Sequence, residues 1–211
     1  MSNEVEGREK SFEKKEEVLE AALNEFIEAD YEKASLNRII KNAGISKGTF
    51  YYHFENKEAL YLFLLTESNR MKWQFIQSES SAAPVDFAAM DIFDKFLYQA
   101  EQGYTFAKKY PKFYQLSVMF SREKGNPIYD KALKALGGDG DALMRQLIDA
   151  AYENHELDAS FDKGFIAQIL SYQFMHYDQI FNVATDLELN MQNLKNYVAF
   201  LRNGFGAKNN L

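Results

Sequence analysis

SLNRIIKNAGISKGTFYYHFENK, residues 35–57, decides how the whole chain reads. Ser35 is suited to cap a helix, because its hydroxyl can accept from one of the unpaired N–H groups at a helix start. Leu36, Ile39, Ile40 and Ala43 recur at helical spacing and form one apolar face. Gly44 follows where a helix end wants a residue that tolerates positive φ. Ile45 can plug the turn. Ser46 offers a second cap, and Lys47–Phe54 reads as a short helix. Two helices joined by a short glycine-bearing turn form a helix-turn-helix. On the second helix Lys47, Thr49, Tyr52 and His53 carry polar tips on one side, while Phe50 and Phe54, four apart, face the other way. Gly48 lets backbone approach a surface closely. Cations, hydroxyls and amides suit phosphate oxygens, and side chains near a helix N-terminus suit base edges. The same pattern also fits a plain αα-corner with solvated polar residues.

GISKGTFYYHFENKEAL, preceded by SLNRIIKNA, resembles the N-terminal domain of TetR-type transcriptional regulators. The likeness rests on Ala43-Gly44-Ile45-Ser46, Gly48, Phe50-Tyr51, His53-Phe54, Lys57 and Leu60, and extends from Phe12–Phe26 to about Met71. It implies an all-α chain: an N-terminal three-helix helix-turn-helix DNA-binding domain over residues 12–72 (the helix-turn-helix itself at about 35–54), then a larger C-terminal helical effector-binding and dimerisation domain over 84–205. It implies that Lys47, Gly48, Thr49, Tyr52 and His53 meet base edges or adjoining backbone of operator DNA, and that Ser35, Asn37, Tyr51 and Lys57 hold phosphates. A further phosphate contact is expected near Ser11, Lys14 and Lys15. The family usually has a glycine near position 30, where this chain has Ala29-Asp30-Tyr31, so the turn geometry there departs from the pattern.

The 211 residues suffice for one or two domains with a sizeable core. Hydrophobic residues at 46%, 15% of the chain being aromatic, exclude a disordered chain. With no cysteine, disulfides and thiolate metal sites are excluded, and a reducing cytoplasm is compatible. No apolar run of membrane-spanning length occurs. Met1–Ser11 reads as a polar tail rather than a signal peptide. The net charge of −7 argues against nucleic acid until its distribution is seen. Within Lys33–Lys57 the cations Lys33, Arg38, Lys41, Lys47 and Lys57 face Glu55 alone, a basic patch on an acidic body.

Periodicity predicts a first helix over Ser11–Asp30 and a fourth over Lys57–Ser78, with Trp73 packed where that helix meets the rest. Ser78–Pro84 reads as the linker between domains. Helices follow at Asp86–Lys109, from Pro111 to about Arg122, Pro127–Leu136, Asp141–Asn154, Asp162–Ala184 and about Asn190–Arg202, with no strand. The last two are apolar on more than one side, which requires burial on more than one side. By resemblance, they pair with a second copy (about 162–184 and 190–202) into a homodimer.

Phe93, Phe96, Tyr104, Tyr110, Phe113, Tyr114, Met119, Tyr172, Met175 and His176 combine apolar walls, hydroxyls and an imidazole. That mixture fits a small-molecule cavity and equally fits a core. The resemblance implies an effector pocket in this region, for a hydrophobic or aromatic ligand. Three histidines without cysteine do not assemble a metal site, and no P-loop, GxGxxG or GxSxG occurs, so neither an enzyme nor a cofactor is expected. The expected function is a dimeric, cytoplasmic repressor released from DNA by a small effector. The alternatives are an all-α ligand-binding or scaffolding protein that keeps its helix-turn-helix as structure only, or an activator.

Overall fold

The computed structural model describes residues 14–82, 86–87, 89–137, 140–181 and 186–207. Side chains at 80–82, 140–143, 174–175 and 178–179 are outside that description. Among the described residues the regular structure is helical: α1 (Lys15–Glu28), α2 (Leu36–Asn42), α3 (Lys47–His53), α4 (Lys57–Ala82), α5 (Ile92–Lys109), α6 (Pro111–Arg122), α7 (Pro127–Ala135), α8 (Gly140–Glu153), α9 (Lys163–Met175), α10 (Tyr177–Ile180) and α11 (Leu187–Phe205). An isolated antiparallel bridge joins Leu157 to Gly206.

Local chemistry sets many of these boundaries. The Ser35 hydroxyl accepts from Arg38 N, and the Ser46 hydroxyl from Thr49 N, so both halves of the helix-turn-helix are capped. Gly44 has φ +62°, the left-handed value that ends α2 without a steric penalty. Asp91 caps α5, Asn126 caps α7 and Asp186 caps α11, each through a side-chain oxygen. Pro111 and Pro127 open α6 and α7, where the missing N–H costs nothing.

Three expectations are corrected. Residues 78–82 of the proposed linker are helical, because α4 runs through Ala82. Serine, glutamate and alanine cost a helix little, and Pro84 is the first true breaker in that stretch. The long helix expected from Asp162 is interrupted at His176, which separates α9 from α10. Trp73 is half exposed rather than packed. Ser11 and Phe12, at the expected start of α1, lie outside the described residues.

The chain forms two compact units, and their boundary differs from the expected one. One unit contains residues up to Met71 together with Pro111–Gly137; the other contains Lys72–Tyr110 and the chain from Gly138 onward. The first core is built from Val18, Ala22, Leu23 and Phe26 of α1, Ile39 and Ile40 of α2, Phe50 of α3, and Leu60 and Leu64 of α4. Leu116, Ile128 and Ala132 of the α6–α7 hairpin complete it. That hairpin was expected in the second domain. Its apolar face buries instead against the helix-turn-helix core, and its exposed side pairs with it through Lys112–Glu20 and Lys131–Glu58. In the second unit Ile92 and Phe93 pack with Ile148, Leu157, Ile166, Leu170, Val198 and Leu201.

The loop from α1 to α2 is held by charge. Glu25, only 5% exposed, accepts from Ser35 N at 2.6 Å and receives the Arg38 guanidinium through Nε (2.9 Å) and Nη2 (2.5 Å). That guanidinium holds the Glu25 carboxyl below its usual value, outweighing the desolvation that raises it. The unfolded carboxyl protonates near 4.5 and the folded one lower, so its stabilisation is complete above that pH and drains as pH falls through the folded value. Glu25→Ala is expected to cost about 2 kcal/mol, less than a wholly buried pair because Arg38 stays hydrated. Glu25→Gln should flatten the acid limb of a melting-temperature profile. A wild-type acid limb unchanged by Glu25→Gln would show that the pair contributes no pH-dependent stability.

Candidate nucleic-acid interface

The second helix of the helix-turn-helix, α3, is amphipathic about one buried anchor. Phe50 is wholly buried and contacts the Phe54 ring at 5.7 Å between centroids. Phe54 in turn meets Phe63 of α4 edge-on. Burying rings of this size stabilises by roughly 2–3 kcal/mol each, enough to seat a helix too short to persist alone. The opposite face is solvent-exposed: Lys47, Gly48, Thr49, Tyr51 and Tyr52 are all exposed, the two tyrosines by 56% and 62%. Large exposed aromatics at adjacent positions, beside a capped helix start, are a costly surface unless something covers it.

Each expected contact residue has a definite setting. Ser35 and Asn37 lie at the start of α2, Ser35 half-buried as its cap and Asn37 exposed. The Thr49 hydroxyl is 2.9 Å from the Ser46 hydroxyl, which orients it without exhausting its hydrogen-bonding capacity. The His53 ring stands edge-on to Tyr52, and burial pushes its imidazole below the ordinary histidine value, so it is neutral at pH 7. A Cβ added at Gly48 would meet only the Ser46 hydroxyl, at an ordinary 3.6 Å. Packing within the chain therefore does not require glycine at 48.

The basic patch is smaller than its sequence suggests. Lys33 pairs with Asp30 and Arg38 with Glu25, two carboxylates that lie outside the Lys33–Lys57 window. Lys57, expected at a phosphate, instead donates to three carbonyls: Tyr31 O (2.7 Å), Ala34 O (3.0 Å) and Glu32 O (3.2 Å). Its ammonium also sits 4.6 Å from the Tyr31 ring centre. An ammonium has three donors, and all three are directed inward, so Lys57 is a strut of the α1–α2 loop. Lys14 donates to Gly44 O at 3.0 Å, tying α1 to the turn, and Lys15 lies over the Phe63 ring. Lys41 and Lys47 are exposed, and neither forms an ion pair among the described residues.

The expected effector residues are divided between the two units. Phe113, Tyr114 and Met119 belong to the first unit; Phe93, Phe96, Tyr104, Tyr110, Tyr172 and His176 belong to the second. Phe93 is core, covered by the Arg202 guanidinium. Phe113 packs against the first core. Tyr172 is exposed and stacks on His176 at 4.1 Å, on the surface rather than in a pocket. The side chain of Met175 lies outside the described residues. A cleft of about 460 Å³ does occur in the second unit, lined by Asp91, Glu156 and Arg202 with Phe93, but these charges already serve one another and the backbone: Arg202 pairs with Asp91 and Asp94, and Glu156 accepts from Ile92 N. No group of three or more metal-ligating side chains occurs among the described residues, and none of their helices is long and apolar enough to cross a membrane.

A capped helix-turn-helix with one exposed polar-aromatic face, among described residues that are otherwise helical, has the architecture of helix-turn-helix proteins. Residues 18–63 match the family model described as "Bacterial regulatory proteins, tetR family", so the likeness to that family is carried by the helix-turn-helix domain. It is similar to the HTH-type transcriptional regulator YdgC of Bacillus subtilis, 35% identical over 60 residues, 28% of this chain and 31% of that protein. It is also similar to the HTH-type transcriptional repressor AcnR of Corynebacterium diphtheriae, 39% identical over 54 residues, 26% of this chain and 28% of that one. These matches span less than a third of either relative. Over nearly the whole chain the fold is that of a TetR family regulator from Chloroflexus aurantiacus (TM-score 0.67, 22% identity, 93% of this chain and 94% of that one). The fatty acid degradation regulator FadR from Bacillus halodurans is similar too (TM-score 0.57, 18% identity, 87% and 93%).

Lys57→Ala is expected to lower stability by about 2 kcal/mol, since three carbonyls lose a charged donor. A thermal or urea melt distinguishes this from a surface phosphate contact, whose loss would leave the melt unchanged.

Proposed function

We propose that the chain is a dimeric transcriptional repressor that lays α3 in the major groove of operator DNA and leaves it when a small molecule binds the C-terminal domain. The carrying observation is the exposed face of α3, where Lys47, Gly48, Thr49 and Tyr52 surround a capped helix start and Phe50 fixes the helix from behind. Such a helix can present its N-terminal side chains to base edges. Gly48, unneeded by packing, suits close approach of a DNA backbone. Tyr51, Asn37 and Ser35 suit phosphate oxygens, together with Lys41 and Lys47.

Dimerisation through the last two helices (about 162–184 and 190–202) is supported by a second concentration of exposed apolar side chains. Phe165, Tyr172, Ile180, Leu189 and Phe200 all lie on α9–α11, while Ile166, Leu170, Val198 and Leu201 from the same helices are buried. One face thus serves the chain's own core and the other is left for a second copy, which would set two α3 helices about one DNA turn apart. For the effector, the half-buried Phe96, Tyr104 and Tyr110 suit a hydrophobic or aromatic molecule. A bound molecule would act by favouring one spacing of the paired domains over another. Cytoplasmic residence and the absence of catalysis follow from this reading.

DNA selected from a random pool by the full-length protein supplies the operator. Lys47→Ala and Tyr52→Ala are each expected to weaken binding to it by tenfold or more in an anisotropy titration, with melting temperature and dimer mass unchanged. Unaltered affinity in both variants would remove α3 as the reading helix. Because Lys33, Arg38 and Lys57 are committed internally, a dimer offers chiefly Lys41 and Lys47 from each copy. The logarithm of affinity should then fall against the logarithm of salt with a slope of about −4, where ten engaged cations would give about −9.

A further inference from the structure

Among the described residues the buried charged side chains are Glu25 and Glu123. Glu25 is matched by Arg38. Glu123 lies at the turn between α6 and α7, far along the chain from the helix-turn-helix, and its carboxylate is 6% exposed. One oxygen accepts from the backbone N–H of Tyr31 at 2.6 Å, across 92 residues of sequence. The other accepts from the Asn126 side-chain amide at 3.1 Å, which fixes the carboxylate's direction. Burying a carboxylate costs several kcal/mol unless its oxygens are met, so its position here is closely determined.

Tyr31 is where the α1–α2 loop is gripped. Its N–H goes to Glu123 and its C=O to Lys57, so opposite charges hold the two ends of one residue's backbone. Its ring packs in one cluster with those of Phe26 and Tyr61. The loop contains no glycine, and among the described residues the one non-glycine with positive φ is His155, so ordinary backbone makes this turn. A loop without intrinsic turn chemistry takes its shape from what clamps it. It also leads directly into Ser35 and α2, on which α3 is mounted.

We infer that Glu123 is a positioning residue for DNA reading: from the α6–α7 hairpin, its carboxylate sets the α1–α2 loop and thereby the angle at which α2 and α3 are presented. This rests on the DNA-binding reading above and adds to it a residue outside the helix-turn-helix domain that the sequence marks out.

The test uses the full-length protein and three substitutions. Glu123→Gln keeps an acceptor at the same reach, Glu123→Asp keeps the charge but withdraws it by one methylene, and Glu123→Ala removes both. Hydrogen exchange at the Tyr31 amide is expected to quicken tenfold or more in Glu123→Asp and Glu123→Ala and to stay near wild type in Glu123→Gln. Amides in the middle of α1 should keep wild-type protection in all three. Affinity for selected DNA should fall at least tenfold in Glu123→Asp, with the Gln variant within about twofold of wild type. Unchanged affinity despite faster Tyr31 exchange would overturn the positioning role, as would loss of α1 protection in step with Tyr31 in Glu123→Asp, which would mark a general stabiliser. Should wild-type protein select no DNA at all, the regulator reading fails, while the exchange pattern still decides whether Glu123 clamps the loop.

Discussion

A seven-residue helix has no stability of its own in water, because the cost of nucleating it is never recovered within two turns. α3 is such a helix, and most of the first unit can be understood as the means of holding it. Phe50 supplies the anchor, Ser46 and Gly44 fix where the helix begins, and the core beneath it is assembled from α1, α2, α4 and the α6–α7 hairpin. The exposed face is left polar and aromatic because the other face has been buried so completely.

The same economy governs charge. The stretch that carries the helix-turn-helix is rich in cations, yet most of them already have partners within the chain. Arg38 neutralises a buried carboxylate, Lys33 closes a local pair, and Lys57 gathers three loop carbonyls. What remains toward solvent is a modest positive surface beside exposed tyrosines. A strongly acidic chain is compatible with nucleic-acid binding on these terms, since repulsion elsewhere discourages unproductive encounters while a small cationic face orients the productive one.

Local signals were read well where a residue's chemistry acts on its immediate neighbours. Serine caps at 35 and 46, positive φ at Gly44, and proline starts at 111 and 127 are all effects within a few residues. The apolar spacing of α2 and α3 likewise predicted which side faces inward. Expectations failed where the outcome depended on distant partners. Polar composition over 78–82 suggested a linker, yet nothing there breaks a helix. The aromatic side chains expected at a pocket include core and surface positions and fall in both units, because aromatic content does not specify a shared direction.

The order of amino acids alone was sufficient for the all-helical class, the helix-turn-helix and the buried and exposed faces of α3, since these depend on spacing and on capping chemistry within a turn or two. It could not assign the hairpin of Pro111–Gly137 to the first unit, nor show that Lys57 points inward, nor bring Glu123 to the Tyr31 amide. Those facts depend on which surfaces meet after the chain has folded. Contact across 92 residues leaves no periodic trace, so only packing in three dimensions reveals it.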